Sequence, residues 1–167
     1  MIRTEHALLS PSLGSCKQLV SFTFGDPQAR PKIYIQASLH AEELPGMLVA
    51  HHLRSALESA EAAGRLKGHV VLVPAANPIG LNQRLDHKPM GRFELDTGEN
   101  FNRHYPDLAE AVLSDAIQQL APVIAALAGS TLVVDCTVEG LMHAPELPAI
   151  LKGNGATQPR VVYVSDE

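Results

Sequence analysis

The sequence predicts an α/β fold, a three-layer domain with a mostly parallel, mixed sheet. Three observations carry that expectation. Short β-branched runs alternate with stretches of helical composition, as in chained strand-helix-strand units. Two of the runs, His69 to Pro74 and Thr131 to Cys136, are almost continuously apolar, the pattern of strands buried on both faces of a parallel sheet. Polar clusters follow three of the strand-like runs directly, where ligands bind in open α/β sheets.

The elements follow in order. Gln18 to Phe24 alternates and ends at Gly25-Asp26-Pro27, so it reads as a strand closed by a turn. Lys32 to Ala37 reads as a second strand. Pro45 suits the first turn of a helix, and Met47, Leu48, Leu53 and Leu57 give an apolar stripe that runs to Gly64. His69 to Pro74 is the next strand. From Asn77 to Tyr105 the chain carries Pro78, Gly80, Pro89, Gly91 and Gly98 among several charges, and a connection of that length inside a domain is usually functional or mobile. Helical composition resumes at Pro106 and continues, interrupted by Pro122, to Leu127. Strands are then expected at Thr131 to Cys136 and Arg160 to Val164. The N-terminal residues through His6 carry no strand or helix pattern.

Composition bounds the rest. The chain has 167 residues, 46% of them hydrophobic, enough for one domain over 1–167 with its own core. Thirteen Lys plus Arg against eighteen Asp plus Glu give a net charge of −5, so no global cationic field favours nucleic acid or an anionic membrane. No run approaches the roughly 18 apolar residues of a membrane span, and no secretory h-region is present. Cys16 and Cys136 lie in no paired spacing and suggest neither a disulfide framework nor a zinc ribbon, which fits a reducing, cytoplasmic setting. Serine-elbow, Walker and dinucleotide motifs are absent from the sequence.

The clusters that could carry chemistry are Leu39 to Glu43, Asn77 to Gly80 with its loop, and Asp135 to Glu139, and the fold should bring them to one sheet edge. His40 and Glu43, three residues apart at a strand-to-helix turn, can both reach one small cation, zinc being the natural candidate. Alone the pattern is weak, because Glu42 and Glu43 also serve as negative charges at a helix N-terminus. Asn102 and Arg103, in a glycine-bounded loop, could orient a planar carboxylate, with Arg92 or Arg84 as a second cation. A solvated loop with a structural arginine is the ordinary alternative. His51 and His52 are adjacent on the helix and cannot form a joint i, i+4 metal pair; His87 and His104 lie in the long loop.

Taken in order, LHAEELPG (39–46), VPAANPIGLNQ (73–83), GRFELDTGENFNRHYPD (91–107), VVDC (133–136) and EGLMH (139–143) resemble the succinylglutamate desuccinylase/aspartoacylase family, a zinc carboxypeptidase-like branch, over about residues 32 to 143. The resemblance implies a zinc-dependent hydrolase of an amide or ester in an N-acyl amino acid or related carboxylate. His40 and Glu43 match the first two Zn2+ ligands, Asn102 and Arg103 the substrate-carboxylate pair, and Arg92 the upstream arginine. The family's third ligand is a histidine in Asp-x-His, whereas this chain reads Asp135-Cys136-Thr137, as if a short deletion had removed it; Cys136 or His143 are the replacements open to it. No motif marks Glu146 or Glu167 as the general base, so the chain reads as a shortened relative with weak or lost hydrolysis. The alternative function is a catalytically incomplete relative that binds a small carboxylate or serves in assembly. Either the last strand closes the sheet, or the chain self-associates as a homo-oligomer through the exposed surface.

Overall fold

The structure, a computed structural model, describes residues 1–9, 13–103, 132–135 and 160–163. Strands β1 (Ile2–Leu8), β2 (Lys17–Phe24), β3 (Lys32–Gln36) and β4 (His69–Val73) are followed along the chain by β7 (Leu132–Asp135) and β8 (Arg160–Tyr163). Together they form one six-stranded sheet of order β1-β2-β4-β3-β7-β8. Helix α1 (Leu44–Ala62) links β3 to β4. Between β4 and β7 lie the short helix α2 (Pro78–Leu81) and a two-stranded hairpin of β5 (Arg84–Leu85) and β6 (Lys88–Pro89).

The sheet is mixed, with a parallel majority as expected. Strands β4, β3, β7 and β8 run parallel, while β2 pairs antiparallel with both β4 and β1. β4 therefore has one parallel and one antiparallel neighbour, and its alternating burial departs from the doubly buried strand predicted.

Three further readings change. The N-terminal segment is ordered as β1, and His6 lies within it, its Nε2 2.9 Å from the Ser21 hydroxyl. Its residues are mostly exposed, so backbone pairing holds this edge strand without any apolar alternation to announce it. The long connection after Asn77 is not irregular throughout, since it folds α2 and the β5/β6 hairpin. The stripe on α1 is phased differently: Gly46 and Ala50 are buried and Leu53 and Leu57 pack on the core, whereas Leu48 is 61% exposed. Spacings of four, three and four residues keep one face on the sheet, and two small residues let the helix come close. The helical stretch expected over 106–127 lies outside the described residues.

Phe22, Phe24, Ala37, Ala50, Val70 and Leu72 form the core between α1 and one sheet face, with Val20, Ile33, Ile35, Leu53, Leu57 and Leu66 against it. Each large side chain so buried contributes about 1.5–3 kcal/mol. The register matters most for function. Gln36 stands opposite Val73 in β4 and opposite Asp135 in β7, so all three strands end at the same edge. The first two polar clusters leave from that edge and Asp135 of the third stands at it, the rest of that cluster lying outside the described residues.

Candidate metal and carboxylate site

At the end of β3 the chain turns sharply. The Ala37 amide donates to the Val73 carbonyl at 3.0 Å, and the Ala37 and Ser38 carbonyls accept from Ala76 and Asn77 at 2.8 and 3.1 Å, so the ends of β3 and β4 remain tied beyond the ladder. Ser38 is fully buried with φ of 61°, a left-handed conformation costly for a residue with a Cβ. That turn throws His40 inward, where it is 0% exposed.

Glu43 is the N-cap residue of α1, yet its side chain makes no capping hydrogen bond. Its Oε1 instead lies 3.0 Å from His40 Nδ1 and accepts from Arg92 Nη2 at 3.1 Å. Helix capping thus does not account for where this carboxylate points. Glu42 turns to the same neighbour: its Oε2 accepts from the Gly91 amide at 2.6 Å and its Oε1 from Arg92 Nε at 3.3 Å. The Ala41 amide donates back to the Gly91 carbonyl at 3.0 Å. A Cβ on Gly91 would stand 2.5 Å from the Glu42 nitrogen, so only glycine permits this approach.

The loop after β4 closes the arrangement from two sides. Asn77 caps α2 by accepting from the Gly80 amide at 2.8 Å and donates through Nδ2 to the Leu39 carbonyl at 2.9 Å, tying α2 to the His40 turn. Farther on, Phe93 and Asn100 bridge antiparallel, and the Phe101 amide donates to the Arg92 carbonyl at 3.1 Å. Glu94 organises the bend between them. Its carboxyl is held below the usual range chiefly by the Thr97 amide, with the Asp96 amide adding a second bond. This fold-back returns Asn100 to His40, where its Oδ1 lies 2.8 Å from Nε2. Asn102 is fully buried beside it, and Arg103 Nη1 donates to the Asn102 carbonyl at 2.7 Å.

The structure therefore brings His40, Glu43 and Arg92 into contact and sets the loop of Asn102 and Arg103 against them through Asn100. Arg92 is engaged by two carboxylates. Arg84, its rival on sequence, is exposed and bonds the Leu81 and Gln83 carbonyls, away from this pair. His51 and His52 are exposed on α1, and His87 sits in the hairpin turn with φ of 62°. His104, Cys136, His143, Glu146 and Glu167 lie outside the described residues.

Glu42 and Asn100 are residues that sequence reasoning missed. An Asn in a loop can form an Asx turn with the backbone two residues on, and here the Asn102 amide donates to Asn100 Oδ1 at 2.9 Å; the residue type was the one available signal. Nothing local marks Glu42, whose partners lie 49 and 50 residues away.

Two donors bound to one tetrahedral zinc at roughly 2.0–2.2 Å stand about 3.3–3.6 Å apart, whereas the nitrogen and oxygen of His40 and Glu43 are 3.0 Å apart, at hydrogen-bond distance. A small separation of the pair would let them take two corners of such a site. Among the described residues no group of three or more His, Cys, Asp or Glu side chains is gathered to hold a metal, so a zinc held by this pair would need a further ligand from outside them.

Comparison with known proteins now bears on this geometry. The succinylglutamate desuccinylase/aspartoacylase catalytic domain matches residues 29–145, most of the chain and every element of the site. The chain belongs to that family. Its fold agrees: a protein from Shewanella frigidimarina described as a succinylglutamate desuccinylase/aspartoacylase superposes with a TM-score of 0.64 at 25% identity, over 82% of this chain and 46% of its own. A member of the family from Shewanella amazonensis gives 0.57 at 26% identity, again over 82% and 46%. A protein from Shewanella baltica described as a metallopeptidase shares the fold, with a TM-score of 0.51 at 20% identity over 83% of this chain and 49% of its own. The chain thus spans about half the length of these relatives. The search of curated proteins finds no match. No helix among the described residues is long and apolar enough to cross a membrane.

Proposed function

We propose that this family member acts in metal-dependent hydrolysis of an amide or ester in an N-acyl amino acid or related small carboxylate, with zinc held by His40 and Glu43. The observation that carries the reading is the 3.0 Å approach of His40 Nδ1 and Glu43 Oε1 at the carboxyl edge of the sheet. Glu43 leaves the helix end uncapped to make it. Zinc, when bound, supplies a Lewis acid for the scissile carbonyl and a lowered pKa for the attacking water.

The chain's own residues do the positioning. Asn102 and Arg103 stand on the loop tied to His40 and would hold the substrate carboxylate by amide and guanidinium donors. Arg92 braces Glu42 and Glu43 from the same side and adds positive charge to the site. Cys136 and His143 are the residues to test for a third ligand.

The experiment is zinc content after dialysis and zinc affinity by calorimetry for the full chain, His40→Ala and His143→Ala, followed by a hydrolysis screen of N-acyl amino acids. Stoichiometric zinc in the parent, lost in His40→Ala, supports the reading. A parent chain that takes up no zinc sinks it. A second reading, a binding or assembly module, is favoured by Asp135-Cys136-Thr137 standing where the resemblance calls for Asp-x-His. A zinc-free parent that still binds an N-acyl amino acid would establish it.

A further inference from the structure

Strand β1 ends the six-stranded sheet, and among the described residues β2 is its one neighbour. Its ladder to β2 runs unbroken from Ile2 opposite Thr23 to Leu8 opposite Lys17, with no bulge, proline or lysine to blunt the outer side. That side offers a row of unpaired N–H and C=O groups along a mostly exposed strand, on which Ile2 is 63% exposed. The two permanently charged residues of the strand, Arg3 and Glu5, are of opposite sign. They stand opposite Phe22 and Val20 of β2, so both lie on the α1 face of the sheet. There they form an ion pair with each other, their side chains 50% and 41% exposed.

A lone charge on an edge strand discourages an incoming strand, but two opposite charges two residues apart complement a second copy of themselves. Alternate residues of a strand turn N–H and C=O to the same side, so two copies meeting antiparallel must match residues of that same alternate set. The twofold axis then passes through a residue and not between two. An axis through Arg3 sets two guanidinium groups face to face, and one through Glu5 sets two carboxylates so, both unfavourable. An axis through Thr4 sets Arg3 opposite Glu5 of the second copy, twice by symmetry, with Thr4 opposite Thr4 and Ile2 opposite His6. No other axis along β1 brings the arginine of one copy to the glutamate of the other. The ion pair within each chain persists, so four charges alternate in sign around the axis.

We infer that β1 is a docking edge for a second copy of this chain, which pairs antiparallel about a twofold axis at Thr4 with Arg3 and Glu5 setting the register. Two six-stranded sheets then continue as one, and the open backbone groups of β1 find partners. Self-association is thereby placed at the N-terminal edge of the sheet, at the opposite end of the strand order from β8. β1 also precedes residues 29–145, which match the family's catalytic domain, and the inference is independent of the metal reading. Each single charge reversal acts twice, because symmetry repeats every facing pair. A reversal at Arg3 or at Glu5 therefore turns two attractive pairs into two repulsive ones, whereas exchanging the two residues restores both.

The test is sedimentation of the full chain at low salt, where exposed charges are least screened. A single strand edge is a small interface, so the chain is followed from roughly 2 µM to 1 mM, and its average mass should climb from one chain toward two. Arg3→Glu, Glu5→Arg and Thr4→Lys, the last of which puts two ammonium groups across the axis, should each raise the dissociation constant at least about tenfold. The double variant Arg3→Glu/Glu5→Arg should return to within about threefold of the parent. Mixed in equal amounts, the Arg3→Glu and Glu5→Arg chains should associate with each other, since every facing pair is then acid against base. A parent that stays monomeric throughout overturns the inference, whatever the folding of any variant. So does a parent dimer that the single reversals leave intact, which would form through another surface. A double variant and a mixture that both stay monomeric overturn the register.

Discussion

Replacing Gly91 by alanine should damage the candidate site more than any other single methyl group. The new Cβ would stand 2.5 Å from the Glu42 nitrogen and 2.8 Å from both the Ala41 carbonyl carbon and its Cβ. These are not atoms at the end of a flexible side chain, so the two segments must part until contact distances become ordinary. Overpacking of this kind costs roughly 1–3 kcal/mol. Separation also strains the 3.0 Å bond from the Ala41 amide and the 2.6 Å charge-assisted bond to Glu42, worth about 0.5–1.5 and 1.5–3 kcal/mol when fully lost. Gly91 does not occupy the left-handed region, so alanine recovers at most about 0.5–1 kcal/mol of unfolded-state entropy. The net expectation is a loss of about 3–5 kcal/mol, read as a drop in urea midpoint at unchanged slope. Gly14→Ala, where a Cβ meets nothing within 4 Å, is the control and should be near neutral. A Gly91→Ala chain within 0.5 kcal/mol of the parent would refute the clamp as described.

Other outcomes follow from the same contacts. Glu42→Ala removes the acceptor of the Gly91 amide and one support of Arg92; because the side chain is 30% exposed, the loss should be about 1–2 kcal/mol in urea unfolding. Ser38→Gly relieves a left-handed residue at the cost of a 3.4 Å contact to the Ala41 carbonyl, and should match or exceed parent stability by up to about 1 kcal/mol, whereas Ser38→Val should lower it. Stability should also fall in acid. The Glu61 carboxyl is held below its ordinary value of 4.5 by the Gly25 amide and the N-terminal ammonium, and Glu94 chiefly by the Thr97 amide, so their contributions are complete above that value and vanish as pH drops through the lowered ones. His69 is lowered from 6.5 by burial and by Lys32, which adds a loss of the same sign beginning below 6.5. Melting temperature against pH for Glu61→Gln, Glu94→Gln and His69→Asn should show a flattened acid limb in each; an unchanged slope would count against the assigned causes.

Much of this architecture could be read in the sequence wherever one physical signal dominates. β2, β3 and β4 announce themselves by alternation or β-branched runs, and α1 by its length and Pro45. Illegible elements are those whose stability comes from elsewhere. β1 is exposed along most of its length and relies on its ladder to β2. The β5/β6 hairpin turns through Asp86 and His87, both at positive φ, where a sequence reader looks for glycine. α1 meets the sheet through Gly46 and Ala50, which carry little hydrophobic weight in any pattern. Within the site, His40, Glu43, Asn102 and Arg103 were weak candidates by residue type and spacing and Arg92 stood level with Arg84, and the family resemblance singled out the five. Asn100 and Glu42 acquire their roles only when residues 49 to 60 positions away are folded against them.

That difference bears on how the site is built. The His40 turn gains nothing from a side-chain cap on α1, and Ser38 makes it locally unfavourable. Its shape is imposed from outside, by Asn77 on the Leu39 carbonyl, by the Gly91 backbone on Ala41 and Glu42, and by Asn100 on His40. Three chain segments therefore share one set of bonds, and removing any one partner loosens the hold of the others. Substitutions at Asn77, Gly91 and Asn100 should accordingly be non-additive, because the first to break the clamp also removes part of what the second could break. Segments coupled in this way place the donors of His40 and Glu43 more firmly than the turn could alone, which is what a site for a small cation requires.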